Sequence, residues 1–217
     1  MDDSNGLAVT WTKVGVVTGI LTFTVYPLLI VVPMPMAITV ALAAAFGPLL
    51  SVACLGLYHF VGANRKTVTL QIAAVFTVVA GSLLNTMLVV QMTVRHFMRV
   101  EMADAAGAEN EQFFQMAYLA ADKVQLGLDI SMDFYLTLGT ILFAVNMFRH
   151  PRFGRVIGSL GVIVGASLLC FNLYTFPVPP AEGGSIDLGP LLGLWYFVVA
   201  IMMARSIGWL RKEQTES

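Results

Sequence analysis

Residues 37–61 read AITVALAAAFGPLLSVACLGLYHFV, a stretch without one Asp, Glu, Lys or Arg. A helix rises about 1.5 Å per residue, so about 20 such residues cross a hydrocarbon core roughly 30 Å thick. In lipid each backbone N–H and C=O must find a partner within the protein, and a single stretch achieves that by coiling. This run therefore reads as a membrane span, and five more lie on either side of it.

The first covers about 13–32 and ends at Pro33 and Pro35, whose missing N–H groups stop a helix. After Ala37 to Val61 comes the polar turn Gly62 to Lys66, then a third span over about 67–94 with helical character continuing to about Arg99. An acidic connection holds Glu101, Asp104, Glu109 and Glu111. The amphipathic stretch Phe113 to Asp122 leads into a fourth span, about 123–148. It lacks the basic face that favours lipid headgroups, so extension of that helix is preferred to an interfacial position. The turn Arg149 to Arg155 precedes a fifth span, 156–176, and the Pro- and Gly-rich stretch Pro177 to Gly184 precedes a sixth, 191–210.

Composition agrees. The chain of 217 residues is 58% hydrophobic and 12% charged, about half the charge of a soluble domain. The expected class is all-α, a single polytopic helix bundle over 1–217. No basic tract suggests nucleic acid. Cys54 and Cys170 lie inside apolar runs and read as small core side chains, not as a disulfide framework or metal spacing. The acidic start Met1-Asp2-Asp3-Ser4-Asn5 lacks a basic n-region, so the first span is expected to be an uncleaved anchor.

Lysine and arginine are retained on the cytoplasmic side. One set of span ends carries nine of them: Lys13, Arg65, Lys66, Arg149, Arg152, Arg155, Arg205, Arg211 and Lys212. The other set carries three: Arg95, Arg99 and Lys123. This alternation fits six spans with both termini cytoplasmic, in the cell (inner) membrane. Trp11, Trp195 and Trp209 lie near span ends and are expected to be interfacial anchors. Gly15 and Gly19, and Gly154, Gly158, Gly161 and Gly165, are spaced for close helix approach. Packing within the bundle is the first reading. A second copy or a partner membrane protein is the alternative, with lipid the surrounding partner in either case.

Two segments, Lys13-Val14-Gly15-Val16-Val17-Thr18-Gly19 and Leu138 to Phe143 followed by Pro151 to Gly158, carry a resemblance. Through them the chain resembles an uncharacterised family of small six-helix bacterial membrane proteins with a domain of unknown function. The family's turn runs aromatic-Pro-basic-aromatic-hydrophobic-Gly. Here His150 precedes Pro151, and Gly154 directly follows Phe153. The resemblance implies the architecture and no activity.

Asp129 and Asp133 are the strongest functional candidates. Four residues apart, they share one helix face with Gln125 near the same stripe. A carboxylate at a helix centre costs about 2.5–3.5 kcal/mol on the insertion scale, so Asp133 is expected to face the bundle interior. By depth, Asn85 lies near Asp133 and Gln91 near Asp129, with Arg95, His96 and Arg99 above them beside Lys123 and Asp122. The expected arrangement is a polar cluster between the third and fourth spans, with Asp133 hydrogen-bonded to the third. Three roles compete: an interhelical lock, a pocket for a ligand or ion, and a proton relay or acid pair.

No cofactor or metal is expected. A bis-histidine haem would need His59 and His150, yet His150 sits in a turn among arginines and reads as a surface or interface residue, and no Cys/His spacing suits zinc. Neither a Gly-x-Ser-x-Gly elbow, a His-Glu-x-x-His run nor a phosphate-binding loop occurs. A retinal protein would need a lysine deep in a late span, and the last three spans have none there. The expected function is a binding or accessory bundle recognising a partner helix, lipid or small ligand from the outer side. A proton- or ion-coupled transporter using Asp129 and Asp133 is the alternative, and an intramembrane enzyme the third.

Overall fold

Seven helices account for the secondary structure in a computed structural model of the chain, which describes residues 3–104 and 108–216. They are α1 (Asp3–Val31), α2 (Met36–Asn64), α3 (Val68–Asp104), α4 (Ala108–Met147), α5 (Gly154–Thr175), α6 (Gly189–Arg205) and α7 (Ile207–Glu216). No strand occurs among the described residues. Five stretches are long and apolar enough to cross a membrane: Gly6–Leu29, Met36–Asn64, Val68–Val94, Gln112–Met147 and Gly154–Thr175. The sixth expected run is shorter than that. Its helix ends at Arg205, Ser206 turns the chain, and α7 begins at Ile207.

Hydroxyls inside these helices need no outside partner. Thr12, Thr22, Ser51, Thr77 and Thr137 each donate to the carbonyl four residues earlier, which lets polar side chains sit in apolar helices at little cost. Thr67 starts α3 differently: its Oγ1 accepts from the Leu70 N–H at 3.1 Å and donates to Asn146 Oδ1 of α4 at 2.6 Å.

Each helix packs on the next, and α6 closes the series against α1. The result is a ring in which α1 stands across from α4. Glycine sets the closest crossings. Gly15 of α1 lies against Gly56 of α2, where a Cβ on Gly15 would fall 2.6 Å from the Gly56 Cα. Gly47 of α2 meets Gly81 and Asn85 of α3. Gly158, Gly161 and Gly165 face α4 or α6, as the intra-bundle reading expects, but Gly154 touches nothing within 4 Å. It adopts φ +69°, a left-handed conformation at the first residue of α5, so its role is the turn and not packing.

The acidic connection is largely helical. α3 and α4 run into it from both sides, and only 105–107 fall outside the described residues. At about 1.5 Å per residue, the 40 residues of α4 extend about 60 Å, twice a hydrocarbon core. The stretch Phe113 to Asp122 therefore extends α4.

Trp195 corrects another expectation. It is 5% exposed, lies against Gly161 and donates Nε1–H to the Ile157 carbonyl at 3.0 Å. The gap left by Gly161 admits its indole to the α5–α6 seam. His150, expected at a surface or interface, is 2% exposed within an aromatic set of Phe60, Phe153 and Trp209, with ring centroids 5.1–5.4 Å away. The Arg152 guanidinium lies over the Trp209 ring, 5.4 Å from its centroid. The end carrying the basic residues is thus closed by rings, with Leu57, Phe143, Met147 and Met203 buried behind them.

Candidate functional site

Asp129 and Asp133 lie near the middle of α4, about five and four turns before Met147 and the aromatic plug, both part-buried. The Asp133 Oδ2 accepts a hydrogen bond of 2.9 Å from Asn172 Nδ2 of α5. The expected partner was the third span. Helix geometry explains the difference. Gln125, Asp129 and Asp133 are each four residues apart, so each position turns about 40° from the one before. Gln125 still faces α3, whereas Asp133 has swung by about 80° toward α5.

The same arithmetic divides the rest of the expected cluster. Asn85 and Gln91 are six residues apart, about 120° around α3. Gln91 lines a small cleft between α3 and α4 with Val94, Tyr118, Ala121, Asp122 and Gln125. Asn85 instead packs against Gly47 of α2, with its Oδ1 buried and unpaired. His96 is exposed on α3, and the Arg95 side chain lies outside the described residues. The residues expected to form one cluster therefore occupy four places among the described side chains.

Around the acid pair the chain gathers groups that the sequence reading missed. Asn172 is 0% exposed; its Nδ2 also donates to the Leu168 carbonyl at 3.0 Å, while its Oδ1 has no hydrogen-bond partner. Asp187 and Glu182, exposed in the loop between α5 and α6, lie within electrostatic range of Asp129, and Asp187 also of Asp133. Tyr26 of α1, across the ring, feels Asp187, Asp129 and Asp133 together. The loop is tied down where Thr175 Oγ1 donates to the Val178 carbonyl at 2.9 Å and Asp187 Oδ1 accepts from the Gly189 N–H at 2.7 Å. Asn172 did carry a signal. It stands alone as an amide in the apolar 156–176 run, and a buried amide needs partners for all its polar atoms.

About two turns further along α4 lies a second polar layer. The Thr140 and Tyr196 hydroxyls are 2.8 Å apart, joining α4 to α6, and the Cys54 thiol of α2 lies in hydrogen-bonding reach of Tyr196 and of Thr77 on α3. Among the described residues no group of three or more His, Cys, Asp or Glu side chains could hold a metal ion. At the opposite end, His150 Nδ1 accepts from the Arg152 N–H at 3.2 Å, and Nε2 is buried without a partner. It sits in the turn between α4 and α5, outside the spanning stretches. Burial pushes its imidazole down to about 4, opposed by the nearby Phe60 carbonyl and reinforced by the Arg152 charge.

These features define a helical bundle with an acid pair turned inward at one end and an apolar, aromatic-lined closure at the other. Comparison with known proteins gave no matching family model, no matching curated protein and no matching solved structure.

Proposed function

We propose that this chain is a multi-pass protein of the cell (inner) membrane that binds a small ligand from the outer side. In this reading α6 makes a sixth crossing and both termini are cytoplasmic, which the basic residues at one set of helix ends support. The reading is carried by one observation at the seam between α4 and α5. There Asp133 is held by an amide whose own carbonyl oxygen is buried and unpaired. A pure interhelical lock would satisfy both ends of the amide, because an unmet buried acceptor costs about 1–3 kcal/mol. A ligand with a donor removes that cost.

Native mass spectrometry of the gently extracted protein tests the reading. A one-to-one small-molecule adduct is expected on the wild type and should be lost from Asp133→Asn. Adduct-free spectra for both proteins would overturn it.

The transporter reading is favoured by a separate feature, the polar layer of Thr140, Tyr196 and Cys54 inward of the acids, and by Pro27 and Pro48 inside α1 and α2. Proton flux in liposomes that depends on Asp133 would support it over simple binding.

A further inference from the structure

Resting on the ligand-binding reading, we infer that the wedge formed by Asp129, Asp133 and the free Asn172 carbonyl takes a protonated primary amine.

The polar groups left uncommitted here, among the described residues, are acceptors. Asp129 and Asp133 present carboxylates, and the Asn172 amide nitrogen is already committed to Asp133 Oδ2 and the Leu168 carbonyl. That leaves Oδ1, buried and unpaired on a side chain that is 0% exposed, as the open end of the amide. The charges acting on Asp129, Asp133 and Tyr26 all come from aspartate or glutamate. An anion would be repelled, and a neutral donor would leave the carboxylates uncompensated.

A cation is required, and its kind follows from the number of oxygens. Calcium takes about six to eight oxygen ligands and magnesium an octahedral six. Two carboxylates and one amide oxygen supply at most five oxygens, so either ion would need water to complete its shell, and the described residues offer no group of three or more His, Cys, Asp or Glu side chains. A primary ammonium instead carries three N–H donors on one charged nitrogen, as in a lysine head group. Three acceptor groups match three donors, and charge-assisted hydrogen bonds are the strong kind.

The surroundings suit the remainder of such a molecule. Tyr26 stands across the ring, within electrostatic range of Asp129, Asp133 and Asp187, and its ring stacks on Phe46 at 5.9 Å. A part-exposed aromatic ring within range of an acid pair suits a cation with an organic tail, because a ring face attracts positive charge. Asp187 and Glu182 are exposed in the loop above, so their negative field raises the local concentration of cations before binding.

Isothermal titration of the purified full chain in nanodiscs, with n-butylammonium chloride as the probe, tests the inference. One saturable site is expected on the wild type. Tetramethylammonium, which has the charge and no N–H, should bind at least about tenfold more weakly, as should n-butylammonium to Asp133→Asn or Asn172→Leu. Asp129→Asn, which breaks no hydrogen bond to another helix among the described residues, serves as the well-folded variant and should also lose affinity. Asp187→Asn should cost about two- to threefold, through the field alone. Equal affinity for tetramethylammonium, no effect of Asn172→Leu in a protein that still melts cooperatively, or tighter one-to-one binding of calcium or sodium would overturn the amine. An Asp133-dependent adduct by mass spectrometry without n-butylammonium binding removes the amine and leaves the ligand site. Absence of both removes both.

Discussion

Replacing Gly56 by alanine probes the contact that brings α1 against α2. The new Cβ would lie 2.8 Å from the Trp11 carbonyl oxygen, 2.9 Å from the Gly15 nitrogen and closer still to the Gly15 Cα. Relaxed carbon contacts lie at about 3.5–4.0 Å. All three opposing atoms are backbone, so no side chain can swing aside and α1 must retreat by roughly 1 Å. A gap of about 0.5–1 Å forfeits a quarter to a half of each dispersion contact across the crossing, and overpacking of this kind costs about 1–3 kcal/mol. Alanine returns up to about 1 kcal/mol through helix propensity, so the net loss is roughly 1–2 kcal/mol. For a chain of this size, that lowers Tm by about 2–8 °C. Gly127→Ala is the matched control, because a Cβ there meets nothing within 4 Å and only the propensity gain remains. Melting the wild type and both variants in one detergent by scanning fluorimetry gives the comparison. If Gly56→Ala melted at or above the wild type, the close α1–α2 crossing would be wrong.

His150 makes stability depend on pH. With the folded value at about 4 and the unfolded value at 6.5, the unfolded chain takes the proton first as pH falls. Stability is therefore full above about pH 6.5 and lost progressively down to about pH 4. The loss is roughly 2 kcal/mol by pH 5 and about 3 kcal/mol at the limit. His150→Gln should flatten that part of the wild-type profile in melts between pH 7.5 and 5, and an unchanged slope would contradict the burial. Asn172→Leu should cost about 1–3 kcal/mol by leaving Asp133 without its donor, read as a lowered Tm. The double variant with Asp133→Leu should recover part of that loss. Trp195→Phe removes the bond to the Ile157 carbonyl and should cost about 0.5–1.5 kcal/mol. If its melt matched the wild type, the α5–α6 seam would not depend on that indole.

The apolar runs dictated coiling, because stretches of that length and lack of charge suit lipid, where the backbone must pair with itself. Five of the expected spans correspond to helices long and apolar enough to cross. The proline pair at Pro33 and Pro35 lies between α1 and α2, as their missing donors require. The inward turn of Asp133 was legible too, since a carboxylate at that depth is costly against lipid and it is part-buried beside α5.

Partner choice was not legible. Whether Asp133 meets Asn85 or Asn172 turns on about 40° of helical phase per four residues and on which neighbour stands there, and neither quantity is local. Trp195 and His150 make the same point. By position each belongs near an interface, yet the gap at a glycine on α5 admits Trp195 and a ring on α2 covers His150. Sequence alone determined that the chain is helical and that lipid suits its runs, because backbone pairing and apolar area are properties of each segment taken singly. Only tertiary structure decided which polar atoms are paired and which stay open, because that depends on the relative rotation of helices far apart in the chain.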